Sequence, residues 1–368
     1  MDDRRITRRD FMRDSAAAGV GVAAGLAAGR AEGADADEAK KKTRSYNGEM
    51  EYRRLGKTGL WVSAVCLGGH WKRINKVIPA KGSIGGWNPP GSSADADLFH
   101  KNRHDVVSRC LDAGINLVDA CSGGEIVTYA RALKGRRDKM YFGFSWYEKE
   151  SRFPQWRTAK KLLQSLEEGL KQAGLDYADV WRISAHTRGS RHTRGEVEEM
   201  VKALATARKQ GKVRFTGLSS HDRPWLKMMV ETYPDVMQVI VTPYTASSKV
   251  LPTDSLFDAV KKHDVGVLGI KPFASNSLFK GDGSPTSPHA EQDDRRARLA
   301  VRYILCNPAM TAPIPGLISI HQVDNVVAAV QERRKLDRAE KAELKAATDE
   351  MWANLPKGYR WLNEWRYV

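Results

Sequence analysis

From Glu51 onward the chain repeats one unit: a short, β-rich apolar run followed by a stretch with helical period. The runs read "AVCLGG", "INLVDA", "MYFGFSW", "DVWRISA", "VRFTGLSS", "VMQVIVTPY", "VGVLGIKPF" and "APIPGL". Between them lie segments such as "RHDVVSRCLDAG", "TAKKLLQSLEEGLKQAG", "GEVEEMVKALATARKQG" and "LFDAVKKHD". Near-continuous apolar strands need cover on both faces, so the alternation predicts parallel strands wrapped by helices. Eight such units over roughly 270 residues fit a closed (β/α)8 barrel of the TIM class, assigned here to residues 50–335. Ahead of it, "EYRRLGKTGLWVS" predicts a β-hairpin turning at Gly-Lys-Thr-Gly. Residues 336–368 predict a C-terminal helix (Arg338–Met351) and an aromatic tail packed back on the barrel. A doubly wound open sheet is the runner-up. It would need a glycine-rich fingerprint after the first strand, and "GGHWKR" is not one. Lys72 to Leu98, rich in Gly, Pro and Ser, reads as a long loop of the kind that forms lids or binding loops.

The first 36 residues read as an address rather than as fold. Arg8 and Arg9 precede Phe11 and Met12, and a small-residue apolar run (Ala16–Ala28) follows, ending near Ala34 and Ala36. The run is too short and too weakly apolar to span a bilayer. The order T-R-R-x-F-M resembles a bacterial twin-arginine signal, which implies export to the periplasm through that machinery. Residues 37–49 read as a linker. The chain carries 60 Lys and Arg against 44 Asp and Glu, a net charge of +16, but the only basic block, Glu38–Arg44, is too short for a nucleic-acid arm. Four scattered cysteines (Cys66, Cys110, Cys121, Cys306) exclude a disulfide scaffold.

In a (β/α)8 barrel, chemistry sits at the C-terminal ends of the strands. Those ends offer His70, Asp119, Cys121, Ser145, Ser184, His186, Ser219 to His221, Tyr244, Lys271, Pro315 and Gly316. Three histidines invite a metal, but no H-x-H or H-E-x-x-H spacing is present, and no metal site is expected.

"MEYRRLGKTGLWVSAVCLGG", "AGINLVDA", "LDYADVWRIS", "ARKQGKVRFTGLSS" and "PIPGLISIHQVDN" are similar, in order and spacing, to signatures of the aldo-keto reductases, from about Met50 to Val330. The resemblance implies an NAD(P)-dependent oxidoreductase acting on a small carbonyl or sugar-like molecule. That family protonates the carbonyl with a tyrosine tuned by a lysine and an aspartate, while a histidine orients the substrate. Asp119 matches the aspartate. Gly124, Ser145 and Ser184 stand where the tyrosine, lysine and histidine are expected, and Tyr129 reads as a packing residue of the following helix. Asp119 should therefore lack an opposite charge, and the vacated volumes beside it should hold water or a bulkier substrate. His186, His221 or a bound water would replace the phenol. On the cofactor side the resemblance places Ser219, Ser220, Gln238, Lys271, Gly316, Gln322 and Asn325 around NADP or NAD, with Ile270 in place of an aromatic ring. Two other readings stay open: a ligand- or nucleotide-binding barrel without catalysis, and a non-redox lyase or epimerase using Asp119 with a histidine.

Overall fold

The computed structural model describes residues 32–79 and 93–363. The segment read as a twin-arginine signal, about half of the glycine-rich loop and the last five residues lie outside the described residues. In chain order the described elements begin with α1 (Glu32–Lys41), the hairpin strands β1 (Tyr52–Arg54) and β2 (Trp61–Ser63), and β3 (Leu67–Gly68). Then follow α2 (Ser93–Asp112), β4 (Leu117–Ala120), α3 (Gly123–Ala132), β5 (Tyr141–Phe144), α4 (Ala159–Ala173), β6 (Ala178–Ser184) and α5 (Arg194–Lys209). The chain continues through β7 (Val213–Ser219), α6 (Arg223–Thr232), β8 (Val239–Pro243), α7 (Leu256–Lys262), β9 (Gly266–Ile270) and α8 (Ala290–Leu305). It closes with β10 (Ala312–Pro313), α9 (Ile320–Gln331) and α10 (Arg338–Ala353). Because α2 starts at Ser93, the loop after β3 is shorter than the composition of Lys72–Leu98 suggests.

β3 to β10 form one parallel sheet in sequence order. The sheet curls until its edges meet: Cys66 N donates to Pro313 O (3.0 Å) and Gly68 N to Pro315 O (2.8 Å). The seam needs glycine, since a Cβ on Gly316 would lie 2.2 Å from Gly69 O. Alternation along the strands sorts side chains into two cores. Cys66, Leu117, Tyr141, Val180, Val239 and Leu268 point inward and form one cluster. Leu67, Val118, Phe142, Trp181, Ile240 and Val267 point outward, under the helices. Side-chain caps set the helix starts, with reciprocal capping boxes at Thr193/Glu196, Ser255/Asp258 and Asp337/Glu340.

The hairpin plugs the N-terminal end of the barrel. Leu55, Leu60 and Val62 enter the inner cluster, and Gly56 (φ 51°) bridges to Val265, where no Cβ would fit. The segment read as a linker is helix α1 followed by a docked strap: Thr43 Oγ1 donates to Trp61 O (2.6 Å) and Arg44 pairs with Asp179 (3.1 Å). With this end sealed, space is left only at the other. None of the described helices is long and apolar enough to cross a membrane.

Candidate active site at the barrel mouth

The same alternation that buries Leu117 and Val180 inside the barrel turns Asp119, Arg182 and Ser184 inward at its mouth. Arg182 grips Asp119 through two parallel bonds, Nε to Oδ1 (3.0 Å) and Nη2 to Oδ2 (2.6 Å). Burial disfavours the charged guanidinium, yet the Asp119 carboxylate holds the Arg182 pKa above the ordinary arginine range. The expectation that Asp119 lacks an opposite charge is thus corrected: the cation comes from β6, not from the end of β5. A lone cation in the apolar run "DVWRISA", in step with Val180 and Ser184, was the sequence signal for it.

The expected void is also filled. Ser145 Oγ donates to Glu150 Oε2 (2.5 Å) and lies 2.9 Å from Ser184 Oγ, which in turn accepts from Arg182 Nη1 (3.3 Å). Glu150 also accepts from Trp181 Nε1 (2.9 Å) and Ser184 N (2.7 Å). It is fully enclosed, and burial pushes its pKa up despite those donors. At the neighbouring Gly123 the room is taken by Trp146, whose ring would lie 2.8 Å from an added Cβ. Tyr129 is buried, donating to Gly68 O (2.5 Å) and receiving Trp71 Nε1 (3.0 Å).

A cavity of about 780 Å³ opens above this floor. Asp119, Arg182, Ser184, Ser219, His221 and Lys271 line one part, and Gly316, Gln322 and Asn325 line the other. Burial, with Arg152, Lys72 and Arg182 nearby, pushes the Lys271 pKa down from 10.5 to about 8, against an opposing pull from Cys121. Burial, Lys271 and Arg152 likewise hold His221 well below the usual histidine range, so its ring is uncharged at neutral pH. Trp361, from the C-terminal tail, stacks on His221 (centroids 4.8 Å apart, 9° between planes). Tyr359 reaches the same cavity and pairs with Lys72, which lowers the phenol pKa.

Three sequence-predicted residues are placed elsewhere. His186 does not line the cavity; its Nδ1 faces the backbone of Arg188 (3.0 Å). Ser220 sits behind the wall, donating to His186 O (2.9 Å). Gln238 precedes β8 and so lies at the opposite end of the barrel, where its Oε1 accepts from Thr216 N (3.2 Å). The cofactor role that the resemblance implies for Gln238 would need it at the other end of the strand. Asn325 lines the cavity but already accepts from Arg298 (2.7 Å) and donates to Asp294 O (3.1 Å).

Beside Asp119, three side chains from three segments converge. His70 Nδ1 lies 3.0 Å from Glu125 Oε1 and 3.6 Å from Cys121 Sγ. Glu125 is fully buried and also accepts His70 N (2.6 Å) and Cys121 N (2.7 Å). Burial works against its charge, but His70 and those two N–H groups outweigh it and hold its pKa low.

A model of the aldo/keto reductase family matches residues 83–349. The chain is 26% identical over 329 residues to L-galactose dehydrogenase of Arabidopsis thaliana, covering 78% of this chain and 90% of that protein. It is 24% identical over 254 residues to L-glyceraldehyde 3-phosphate reductase of Escherichia coli K12, covering 63% and 64%. Among solved structures, an aldo-keto reductase of Klebsiella pneumoniae in complex with NADPH matches with a TM-score of 0.58 at 18% identity, over 81% of this chain and 94% of that one. The holo form of an aldo-keto reductase from Bacillus halodurans gives 0.56 at 21% identity, over 81% and 96%. The family match spans most of the eight-stranded parallel sheet and its helices, and the chain belongs to the aldo/keto reductase family of oxidoreductases.

Proposed function

We propose that this chain is an NAD(P)-dependent oxidoreductase that reduces the carbonyl of a small sugar-like substrate, with a proton supply of its own. The observation that carries the reading is the continuity of one cavity, from Asp119, Arg182 and Ser184 to the start of α9. A dinucleotide needs that span. Fit is testable on the residues present. The α9 N-terminus, capped by Ser319, sits beside Gly316, where the chain carries no side chain, and helix N-termini favour phosphate. Lys271, a cation displaced from its ordinary pKa by burial among other cations, gains from an anion placed against it. These residues would hold the nucleotide, whose bound nicotinamide supplies hydride chemistry. The names of the Arabidopsis and Escherichia coli relatives support a sugar-like substrate.

The chain's own residues manage the proton. Ser184 faces the carbonyl oxygen and delivers a proton to it; Ser145 replaces that proton and is itself replenished by Glu150 in its protonated form, the Ser145–Glu150 bond then running from carboxyl to hydroxyl. Neutral His221 orients the same oxygen as a hydrogen-bond donor, as an uncharged imidazole can. Asp119 positions Arg182 and, through it, Ser184. Titration with NADPH and with NADH, following tryptophan and nicotinamide fluorescence, should show saturable binding of at least one. No binding of either at millimolar concentration would sink the redox reading.

Export is part of the same proposal. If Arg8 and Arg9 are the recognition pair, changing both to Lys should retain the protein in the cytoplasm, as read by cell fractionation. Unchanged export of the double mutant refutes it.

A further inference from the structure

We propose that His70 Nδ1, Cys121 Sγ and a Glu125 carboxylate oxygen form a site for one divalent, thiophilic transition metal, zinc being the natural occupant. This rests on the side-chain geometry alone and stands whether or not the chain binds a nucleotide.

The first argument is the convergence of ligand atoms. All three lie within 4.8 Å of one another, on three different segments: the turn after β3, the turn after β4, and the first turn of α3. Tetrahedral zinc, with Zn–N and Zn–O near 2.0 Å and Zn–S near 2.3 Å, requires N···S and N···O edges of about 3.5 and 3.3 Å. The observed edges are 3.6 Å from Nδ1 to Sγ and 3.0 Å from Nδ1 to Oε1. These two edges are within a few tenths of an ångström of coordination distance, and the third, from Sγ to the carboxylate, is no longer than 4.8 Å.

The second argument is what the same atoms fail to make. A cysteine–histidine–carboxylate relay puts the thiol on one imidazole nitrogen and the acid on the other. Here the thiol lies nearer to Nδ1 (3.6 Å) than to Nε2 (3.9 Å), and Nδ1 is also the nitrogen that meets Glu125. Both partners crowd one nitrogen, which suits chelation and not proton relay.

The third is the support behind the ligands. The carboxylate is fixed by the His70 and Cys121 backbone N–H groups, so Glu125 also clamps the backbone of the other two ligands. His70 is held at φ 63°, a left-handed conformation rare for a side-chain-bearing residue and frequent at functional positions. Thiolate, imidazole and carboxylate together select zinc or cobalt over magnesium or calcium.

The fourth vertex faces the cavity, because His70 and Cys121 line it while Glu125 closes the rear. Binding displaces the Cys121 thiol proton to solvent, and the metal–thiolate bond replaces the S–H bond. A water or a carbonyl oxygen completes the shell, and the metal polarises it as a Lewis acid.

The test uses the full chain, stripped with a chelator and titrated with cobalt and, separately, zinc. Cobalt should bind at one equivalent, with the thiolate-to-cobalt charge-transfer band and the intense visible bands of a tetrahedral site. Either metal should release about one proton on binding the stripped chain, and zinc should displace cobalt with no further release. Cys121→Ala should abolish the charge-transfer band, and His70→Ala should weaken zinc at least tenfold. Both side chains are partly exposed and neither clamps the loops, so these variants keep the fold, which circular dichroism checks. Absence of the charge-transfer band in the wild type overturns the site. So does zinc held equally by the wild type and the His70→Ala, Cys121→Ala double variant. Nucleotide titration of the same samples reads the redox proposal separately.

Discussion

Two aspartates on barrel strands β4 and β6, both buried and both bound to arginine, separate the base of this molecule from its mouth. At the base, Asp179 accepts from Arg44 (3.1 Å), Arg137 (2.7 Å), Arg214 (2.8 Å) and the Phe142 amide (2.9 Å). Burial penalises its charge, but the three guanidinium groups outweigh that and hold the carboxyl far below the usual range. Nothing is left for a ligand. At the mouth, Asp119 has a single arginine and borders an open cavity. The backbone differs in the same sense. His70, Arg73, Lys271, Ser275 and Asn276 all carry positive φ and all line the cavity. Most of the strain, Ser45 and Asp264 at the base excepted, collects at one end together with the charges that border open space, and the hairpin, the strap and Asp179 stabilise the other. That division is the one expected of a barrel whose chemistry sits at the C-terminal ends of its strands.

The comparison breaks first on stability. Asp179→Ala leaves three arginines around an empty centre, and removing one partner of a buried ion pair costs about 3–5 kcal/mol. Urea denaturation should show a loss of that order. A near-neutral variant would mean that the base is not the stabilising end.

The next effect is catalytic. Asp119→Asn removes the anchor of Arg182 and so of Ser184, and Glu150→Gln removes the proposed proton source. Each should lower kcat at least about a hundredfold, the usual scale for lost acid–base assistance. Nucleotide Kd should change little. Full turnover of a carbonyl substrate by Asp119→Asn would show that the proton path runs elsewhere.

The base was more legible in the sequence than the mouth. All eight apolar runs became strands and "EYRRLGKTGLWVS" became the hairpin, because burial and turn chemistry are local signals. The helix expected at Arg338–Met351 runs to Ala353. The mouth depends on partners far apart in the chain. Arg182 meets Asp119 across 63 residues, Ser145 is answered by a glutamate in the next loop, and Trp361 covers a histidine 140 positions earlier. No period or spacing encodes those meetings. Position alone also misled: the resemblance put Gln238 at the cofactor and it lies at a strand start, and His186 looked like a wall residue and is turned onto Arg188. Spacing rules for metal sites likewise passed over His70, Cys121 and Glu125, which converge only because two strand ends are adjacent in the sheet.

The smallest effect is the most diagnostic, because it has opposite signs for stability and for binding. Lys271 titrates at about 8 in the folded chain, below its ordinary value of 10.5. Between those values the unfolded chain binds the proton and the folded chain does not, so stability should rise as pH increases from about 8 to about 10.5. Below about 8 the half-buried ammonium costs stability. Lys271→Met removes that cost, so the nucleotide-free variant should melt higher than the wild type at pH 7 and show no such rise. Binding should move the other way. A phosphate placed against Lys271 favours the ammonium, so wild-type affinity should hold steady below about pH 8 and fall above it, by about tenfold in all. The Met variant should bind on the order of tenfold more weakly at pH 7, about 1.4 kcal/mol, and lose the alkaline decline. Paired melting and fluorescence titrations across pH 6 to 10 read both signs. A variant that is both less stable and unchanged in affinity would make Lys271 a structural lysine and move the anion site away from the end of β9.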